Sequence, residues 1–400
     1  MGVHRTAPSP WAGAEVPTLF IAAAGILAAL ALPFARVHPS RIADGIPRFL
    51  AEVDPVAAAV IVLLWACAGA AAVVRLAKQY RALAAMLVSI IAPSAALVAA
   101  GVISGQLAGP DSIARVSVST GFWMTMAAGY AAFVLASRKI QVRPVIFRRV
   151  LSLAVPAVLA VLLLSGVLNA VSVMREFAVQ KEVFFAEAAT HAALAGGAVL
   201  IGAVLGIAVG VLALRRALLK RVAFFVLNIV QTIPSLALFG LLILPLAALS
   251  SRFPILRVWG ISGIGRAPAL IALSFYAMLP IARNTYTALA QIPFSLRDAG
   301  AGMGMTRGQL LSRVEVPLAL PLILAGVRTA AVQAVGNTVV TALIGAGGLG
   351  VFIFQGLGQY ASDMILLGTL PVIAMAVLTD MLMGGLVRAI TPKPLREAGT

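Results

Sequence analysis

The chain has few of the residues that enzymes and metalloproteins use for chemistry. It holds one cysteine, Cys67, so an intrachain disulfide is impossible. Its three histidines, His4, His38 and His191, are scattered and indicate no metal site. No constellation of His, Cys, Asp or Glu indicates metal-assisted or nucleophilic catalysis. The sequence therefore predicts neither an enzyme nor a metal centre.

Two further absences concern nucleotides and nucleic acids. No GxxxxGK[ST] sequence is present to hold the phosphates of ATP. Residues 345–350 match GxGxxG, but a dinucleotide site would need a preceding strand within a βαβ unit, and here the glycines end an apolar segment. The net charge of +17 comes from basic residues in short loops between apolar segments. No bound cofactor and no nucleic-acid partner are expected.

What the chain has in abundance is apolar sequence. Hydrophobic residues make up 62% of it, charged residues only 11%, and the mean hydropathy is +1.05. This composition is typical of a polytopic membrane protein, and a helix needs about 20 apolar residues to cross a bilayer. The pattern predicts an all-α protein with about ten transmembrane helices, at residues 16–35, 56–74, 82–103, 119–137, 150–173, 191–214, 222–249, 267–289, 318–343 and 364–390. The segment 222–249 contains Pro234 and Pro245, so it is predicted to be kinked or divided.

Basic residues between the apolar segments predict the orientation. The loops near residues 75–81, 138–149, 215–221, 297–313 and 393–396 are nearly twice as basic as the loops on the other side. Basic loops stay in the cytoplasm. Both termini and the loop at 297–313 are therefore predicted to be cytoplasmic, and the basic loop at 138–149 is the predicted boundary between a region 1–149 with four spans and a region 150–400.

One polar stretch interrupts the apolar sequence of the second region. Residues 295–317 read SLRDAGAGMGMTRGQLLSRVEVP. A stretch this polar cannot lie in hydrocarbon, so it is predicted to lie outside the membrane. Leu296, Ala299 and Met303 fall near helical spacing, which predicts a short amphipathic helix.

This stretch resembles the cytoplasmic permease loop of importers of the ATP-binding-cassette (ABC) type. In that loop Glu-Ala-Ala is followed by Gly at the seventh position, and the motif ends with an apolar residue, a spacer and Leu-Pro. Here Asp replaces Glu, Gly replaces the second Ala, and Val replaces Leu. The resemblance implies that the ATPase subunit docks on this coupling loop, with these positions at the contact: Asp298, Ala299, Gly300, Gly304, Met305, Val314 and Pro317.

Four further segments are similar to the permeases of osmoprotectant importers, which handle glycine betaine, choline and related quaternary amines. They read QTIPSLALFG (231–240), LPIARNTYTAL (279–289), GMGMTRGQLLSRVEVPLALPLILAGVRTA (302–330) and IGAGGLG (344–350). The similarity covers about residues 190–390. The region before residue 150 is similar to the longer, low-affinity glycine betaine permeases, although no motif there is specific.

The resemblance implies a type I ABC importer permease core in residues 150–400 and a multi-pass location in a bacterial inner membrane. The implied partners are cytoplasmic ATPase subunits that use ATP, a second permease subunit, identical or different, and an extracytoplasmic substrate-binding protein. The implied function is the import of glycine betaine or a related quaternary amine. An ABC permease for an amino acid or another small solute is the alternative. An ion-coupled secondary transporter is a further one, but it would need inverted repeats and midplane carboxylates.

Polar residues inside predicted spans are costly and often functional. Two such groups surround or follow prolines, where unwound backbone can expose carbonyls to a water-filled path. Interhelical hydrogen bonding is the alternative reading of each residue. The candidates for lining the pathway are Gln231, Thr232, Pro234, Ser235, Asn284, Thr285, Tyr286, Asn337 and Thr338. Flexible backbone at the outer mouth, as a gate or hinge, is predicted at Gly345, Gly347, Gly348 and Gly350.

Two charges lie deepest in the predicted spans, Arg328 and Asp380. They are at similar depths in antiparallel neighbours, so a buried ion pair between them is predicted, with Arg283 as the alternative partner of Asp380. Gly202, Gly206 and Gly210 recur at every fourth position. This spacing predicts close packing against another helix through a small-residue face.

Overall fold

The computed structural model describes residues 15–40, 43–74, 78–109, 112–139, 145–258 and 260–391, with the side chains of residues 78, 139 and 145–152 left out of the description. Parts of the basic loops used for the orientation lie outside these residues, including Arg75, Arg143 and Lys393. The chain forms two compact units, Met1–Val179 with Gln359–Asp363 and Gln180–Gly358 with Met364–Thr400. The units divide after Val179, whereas the sequence places a functional boundary after residue 149; that boundary stays a prediction.

The first unit is a helical bundle with a small sheet. Its elements are α1 (Val16–Leu30), β1 (Pro33–His38), β2 (Ile46–Phe49), α2 (Leu50–Val53), α3 (Pro55–Val73), α4 (Lys78–Leu107), β3 (Arg115–Val118), α5 (Thr120–Lys139), α6 (Val145–Leu164) and α7 (Ser172–Val179). Two local signals start α3: Pro55 occupies its first turn, and the Asp54 side chain accepts the N–H of Ala57 at 2.9 Å.

The sheet was not predicted from the sequence. Its strand order is β2-β1-β3, with both pairs antiparallel, and it connects helices at one end of the bundle. The span predicted at 16–35 is wrong at its end, because α1 stops at Leu30 and Pro33 begins β1. The span predicted at 150–173 is also wrong at its end. There α6 stops at Leu164, and Gly166 follows with a φ of +77°, which a helix cannot contain.

Arg175 closes the loop that follows α4. Its guanidinium donates to four backbone carbonyls at 2.7–3.2 Å, those of Ala108, Gly109, Ser112 and Ala114. All four carbonyls lie between the end of α4 and the start of β3, so one forked cation satisfies several loop carbonyls at once. The Ser172 hydroxyl also donates to the buried Asp363 carboxylate at 2.6 Å. These contacts connect α7 to the loop between α4 and β3 and to Asp363.

The second unit consists of helices alone among the residues that the structure describes. They are α8 (Lys181–Arg215), α9 (Ala217–Thr232), α10 (Ser235–Arg252), α11 (Ile255–Val258), α12 (Arg266–Ala290), α13 (Phe294–Gly302), α14 (Arg307–Leu310), α15 (Val316–Thr338), α16 (Gly350–Gly358) and α17 (Ser362–Ile390). A π-helical turn at Leu311–Glu315 joins α14 to α15, and a 3-10 segment at Val339–Ile344 extends α15. The division predicted within 222–249 falls at Pro234, between α9 and α10.

Helix α12 is the centre of this unit, and the glycine face of α8 packs against it. A Cβ atom added at Gly202 would lie 2.6 Å from the Cβ of Ala277, and one at Gly210 would lie 2.6 Å from the Cβ of Thr285. Real Cβ atoms do not approach so closely. The predicted small-residue face is confirmed, and the helix that it contacts, which the sequence left open, is α12.

Six helical segments in the described part of the chain are long and apolar enough to cross a membrane. They are Pro55–Val73, Gln79–Leu107, Lys181–Arg215, Ser235–Arg252, Arg307–Ile344 and Ser362–Ile390. Two further apolar helices are shorter, Val16–Leu30 and Leu153–Leu164. The predicted count of ten spans is therefore not confirmed.

Candidate functional site: a surface helix and the polar residues of the second unit

The polar stretch at 295–317 contains a short helix that ends in a tight turn. At the end of α13, the N–H of Met305 donates to the carbonyl of Gly300 at 3.1 Å, and the N–H of Gly304 donates to that of Ala301 at 2.9 Å. This pair of bonds is the Schellman motif. Gly304 has a φ of +79°, and no neighbour would meet a Cβ there. Glycine is favoured at this position by its backbone conformation rather than by crowding.

Gly300, by contrast, lies at a close contact. It is the one buried residue of α13, and a Cβ there would lie 2.6 Å from Leu310 Cδ1. Glycine costs about 1 kcal/mol of helix propensity against alanine. An alanine at this position would require the end of the Leu310 side chain to move.

Arg297 connects α13 to the end of α12 and to the π-helical turn before α15. Its Nη2 donates to the carbonyl of Leu289 near the end of α12 at 2.6 Å, and its Nε lies 2.7 Å from the Glu315 carboxylate. Asp298 and Ala299 of α13 are exposed, as are the apolar side chains of Leu296 and Met303. The helix therefore presents apolar residues and one carboxylate outward while its cation holds it in place.

The rest of the predicted coupling stretch leads into α15. A reciprocal pair of bonds between Thr306 and Gln309 caps α14. Met305 is half-buried in the turn before it. Val314 lies in the π-helical turn, and Pro317 follows it near the start of α15, where proline has no N–H to donate to the preceding turn. The stretch is thus a rigid helix–turn–helix rather than an open loop.

The first group of predicted pathway residues lies at the break between α9 and α10. Gln231 and Ser235 are half-buried, and Thr232 and Pro234 are exposed. The backbone leaves the helix at Ile233, whose carbonyl accepts a hydrogen bond from the hydroxyl of Tyr276. The predicted unwound backbone is present, but this carbonyl is already occupied by a side chain of α12.

The three residues of the second group, in α12, have different surroundings. Thr285 is fully buried against Gly210 of α8, so it does not line an open path in this structure. Asn284 is half-buried where α15 approaches, because a Cβ at Gly326 would lie 2.8 Å from the Asn284 Cβ. Tyr286 packs its ring 4.4 Å from the ammonium of Lys220, which is cation–π geometry.

The third group lies at the end of α15. Thr338 is fully buried, and its hydroxyl donates back to the carbonyl of Ala334 at 2.7 Å. It also does not line an open path in this structure, whereas Asn337 is half-buried. Thr285 and Thr338 are both buried in this conformation, and their part in lining a pathway stays a prediction.

The glycine-rich segment after α15 is a folded loop. Gly345, Gly347 and Gly348 have φ values of +73°, +84° and +96°, a region that other residues rarely adopt. Gly350 is required by crowding, since a Cβ there would lie 1.9 Å from the carbonyl oxygen of Val339. The backbone of the loop is thus unusual but closely packed.

Two side chains of α8 hold this loop, and neither was singled out from the sequence. Glu187 Oε2 accepts the N–H of Gly348 at 2.5 Å, and the fully buried His191 accepts the N–H of Leu349 through Nδ1 at 3.3 Å. His191 Nε2 donates to the carbonyl of Val335 at 2.9 Å, so the neutral ring carries its proton on Nε2. The spacing of four residues on one helix was the only signal in the sequence.

Arg328 and Asp380 form a two-pronged ion pair. Arg328 Nε lies 2.6 Å from Asp380 Oδ1, and Nη2 lies 2.7 Å from Oδ2. Arg283, the alternative partner, instead donates to Asn228 Oδ1 at 3.0 Å. The pair is not buried as predicted, because the two side chains are 39% and 46% exposed.

These features define a helical membrane protein with a surface helix and, among the described residues, no group of side chains that could hold a metal ion. Two family models match the chain: "Binding-protein-dependent transport system inner membrane component" over residues 198–395, and "ABC transporter permease YehY, N-terminal domain" over residues 15–174.

Curated relatives agree with these models. The chain is 38% identical over 208 residues to the carnitine transport permease protein OpuCB of Listeria monocytogenes, covering 52% of this chain and 88% of that protein. It is 40% identical over 206 residues to the osmoprotectant import permease protein OsmW of Salmonella typhimurium (52% and 91%). It is 37% identical over 199 residues to the glycine betaine/carnitine/choline transport system permease protein OpuCB of Bacillus subtilis (50% and 84%).

The chain belongs to the family of binding-protein-dependent ABC importer permeases. The predicted fold class, a helical membrane protein with a type I importer permease core, is confirmed, as is the predicted osmoprotectant permease family. The chain is a transport permease subunit of the inner membrane rather than an enzyme. Permeases of this family work with an ATPase and a substrate-binding protein.

Proposed function

We propose that the chain is the permease subunit of an ATP-driven importer for glycine betaine or a related quaternary amine. The observation that carries the proposal is the similarity of about half of the chain to permeases whose names specify osmoprotectants, glycine betaine, carnitine and choline. The permease performs no covalent chemistry, and ATP is hydrolysed by the partner subunit.

The surface helix α13 is the proposed docking site of the ATPase. An amphipathic helix can lie in a groove of a partner, and the exposed Leu296, Ala299 and Met303, at i, i+3 and i+7, supply an apolar side for such a contact. Asp298 supplies a charge for basic or polar groups of the partner. Because Arg297 ties α13 to α12 and to Glu315 just before α15, a push on α13 reaches both helices directly.

The proposed pathway uses the partly exposed residues at the α9–α10 break together with Asn284, Tyr286 and Asn337. The proposed outer gate is the glycine loop at 345–350, which Glu187 and His191 hold in the present conformation. The proposed assembly contains two permease subunits, two ATPases and one binding protein, with both termini of this chain in the cytoplasm. The N-terminal region 1–149 is proposed to be a part separate from the core at 150–400.

Recognition of the quaternary amine is assigned to the separate binding protein. Quaternary ammonium groups are held by aromatic faces, and only 6% of this chain is aromatic. A permease supplied with solute by a binding protein needs only weak, transient contacts along its path. ATP binding would draw the ATPases together and open the path outward, and hydrolysis would reset it.

The experiment that tests the proposal is uptake of labelled glycine betaine into proteoliposomes that hold this permease with its ATPase and binding protein. The expected result is uptake that requires both ATP and the binding protein. Unlabelled glycine betaine should inhibit this uptake more strongly than amino acids do. Failure of every quaternary amine to be taken up, or accumulation driven by an ion gradient without the ATPase, would overturn the proposal.

A further inference from the structure

The ion pair between Arg328 and Asp380 lies deep in two helices that are candidates for crossing the membrane. Arg328 is twelve residues beyond Val316, the first residue of α15, and Asp380 is ten residues before Ile390, the last residue of α17. At a rise of about 1.5 Å per residue, these positions are about 18 Å and 15 Å from their helix ends. Both charges are therefore near the middle of a bilayer.

A charged pair that is more than one-third exposed cannot face hydrocarbon at that depth without a large cost. The adjoining surface of α15 is also polar, because Thr329, Gln333 and Gly336 are exposed and lie on one side of the helix. On α17 the exposed residues are large and apolar, both next to Asp380 on the helix, as Val377 is, and away from it, as Leu382 is. The polar surface beside the ion pair is therefore that of α15.

Both side chains of the ion pair keep groups that could contact a solute. Nε and Nη2 of Arg328 are used by Asp380, and no hydrogen bond engages Nη1 among the described residues. Gly384 leaves the space that the guanidinium occupies, because a Cβ there would lie 3.2 Å from Arg328 Cζ. A free edge of guanidinium can bind a carboxylate, and the exposed carboxylate of Asp380 can attract an ammonium.

We propose that the Arg328–Asp380 pair lines the aqueous pathway and is a transient binding site for zwitterionic solutes that carry both a carboxylate and a quaternary ammonium. The inference rests on the proposed function and narrows its substrate class. A zwitterion with its two charges a few bonds apart matches two opposite charges held side by side. A simple cation such as choline lacks the group that would bind Arg328.

The first test measures access to water at this surface. Cys67 is the only cysteine in the chain, so Cys67→Ala provides a background for single cysteines. Gln333→Cys and Thr329→Cys are made separately in this background, with Leu382→Cys as the matched control at an exposed apolar position of α17 away from Asp380. The complete transporter in proteoliposomes is treated with a charged, water-soluble methanethiosulfonate during ATP turnover.

The expected result is modification of the α15 cysteines at least about tenfold faster than modification of Leu382→Cys, slowed by glycine betaine delivered by its binding protein. Equally slow modification at all three positions would overturn the proposal. Efficient oxidative cross-linking of Gln333→Cys between two permease copies would also overturn it, because the surface would then be a subunit contact.

The second test is selectivity. Arg328→Gln removes the cation that would bind the carboxylate of the solute, whereas Asp380 remains to attract its ammonium. Uptake of glycine betaine relative to choline should therefore fall about tenfold. An unchanged ratio would contradict the proposal, and purified protein that keeps its elution volume excludes misfolding. Where wild type imports neither solute, the proposed function itself fails; where wild type imports them and the variants behave as wild type, only the present inference fails.

Discussion

The carboxylate of Glu187 in α8 accepts the backbone N–H of Gly348 at 2.5 Å, across 161 positions of sequence. One helical turn further along α8, His191 accepts the next N–H of the loop, that of Leu349. Gly347 and Gly348 supply the positive φ values that such a loop requires, and the two side chains select this one conformation. The proposed gate loop is thus held in this conformation by specific bonds from a neighbouring helix rather than being a free hinge.

Removing the Glu187 carboxylate should loosen this loop. A hydrogen bond to a charged group contributes about 1.5–3 kcal/mol, so Glu187→Ala should destabilise this loop conformation by an amount in that range. Hydrogen exchange of the peptide that contains residues 345–350 should become at least about tenfold faster. Glu182→Ala, at an exposed position in the first turn of the same helix, is the control and should leave the exchange unchanged. Equal exchange in both variants would refute the role given to Glu187.

The packing of α8 on α12 should tolerate no added methyl group. Gly210→Ala places a Cβ 2.6 Å from that of Thr285, and overpacking of this kind costs about 1–3 kcal/mol. The expected result is a lower thermal midpoint of the detergent-purified protein. Gly196→Ala is the matched control in the same helix, because nothing lies within 4 Å of its added Cβ. It should raise the midpoint slightly, since alanine is the better helix former by about 1 kcal/mol. A midpoint for Gly210→Ala as high as that of the control would contradict this packing.

The turn after α13 should respond differently at two neighbouring glycines. Gly304 has a φ of +79°, so Gly304→Ala should strain the turn by about 1 kcal/mol. Gly302 is helical with open space around it, and Gly302→Ala should be neutral or stabilising. The reconstituted transporter should therefore hydrolyse more ATP per solute imported in Gly304→Ala and not in Gly302→Ala. The same ratio in both variants would mean that the shape of this turn does not matter for coupling.

The surface helix and the charged pair were predictable because each breaks a strong local rule. Residues 295–317 are too polar for hydrocarbon, so their location outside the membrane could be predicted. Arg328 and Asp380 are charges in apolar segments, so their pairing could be predicted. The partial exposure of the pair was not predictable, because it depends on which sides of α15 and α17 are covered.

Other features depend on contacts that the sequence does not encode locally. Thr285 and Asn284 are adjacent in sequence, yet the first is sealed against Gly210 and the second is half-buried. The strand β1 was read as the end of a span, because its residues are as apolar as a helix end and only pairing with β2 and β3 distinguishes them. Apolar composition locates segments in a membrane protein but does not decide which side of each one is covered.

The central claim is that this permease is moved by an ATPase that contacts α13. Asp298→Lys tests it most directly, because the side chain is exposed and the substitution reverses the charge offered to the partner. The account predicts that ATP-driven uptake of glycine betaine by the reconstituted transporter falls at least about tenfold, while the purified permease keeps its elution volume and thermal midpoint. Uptake equal to that of wild type, or uptake by the permease without the ATPase, would contradict it.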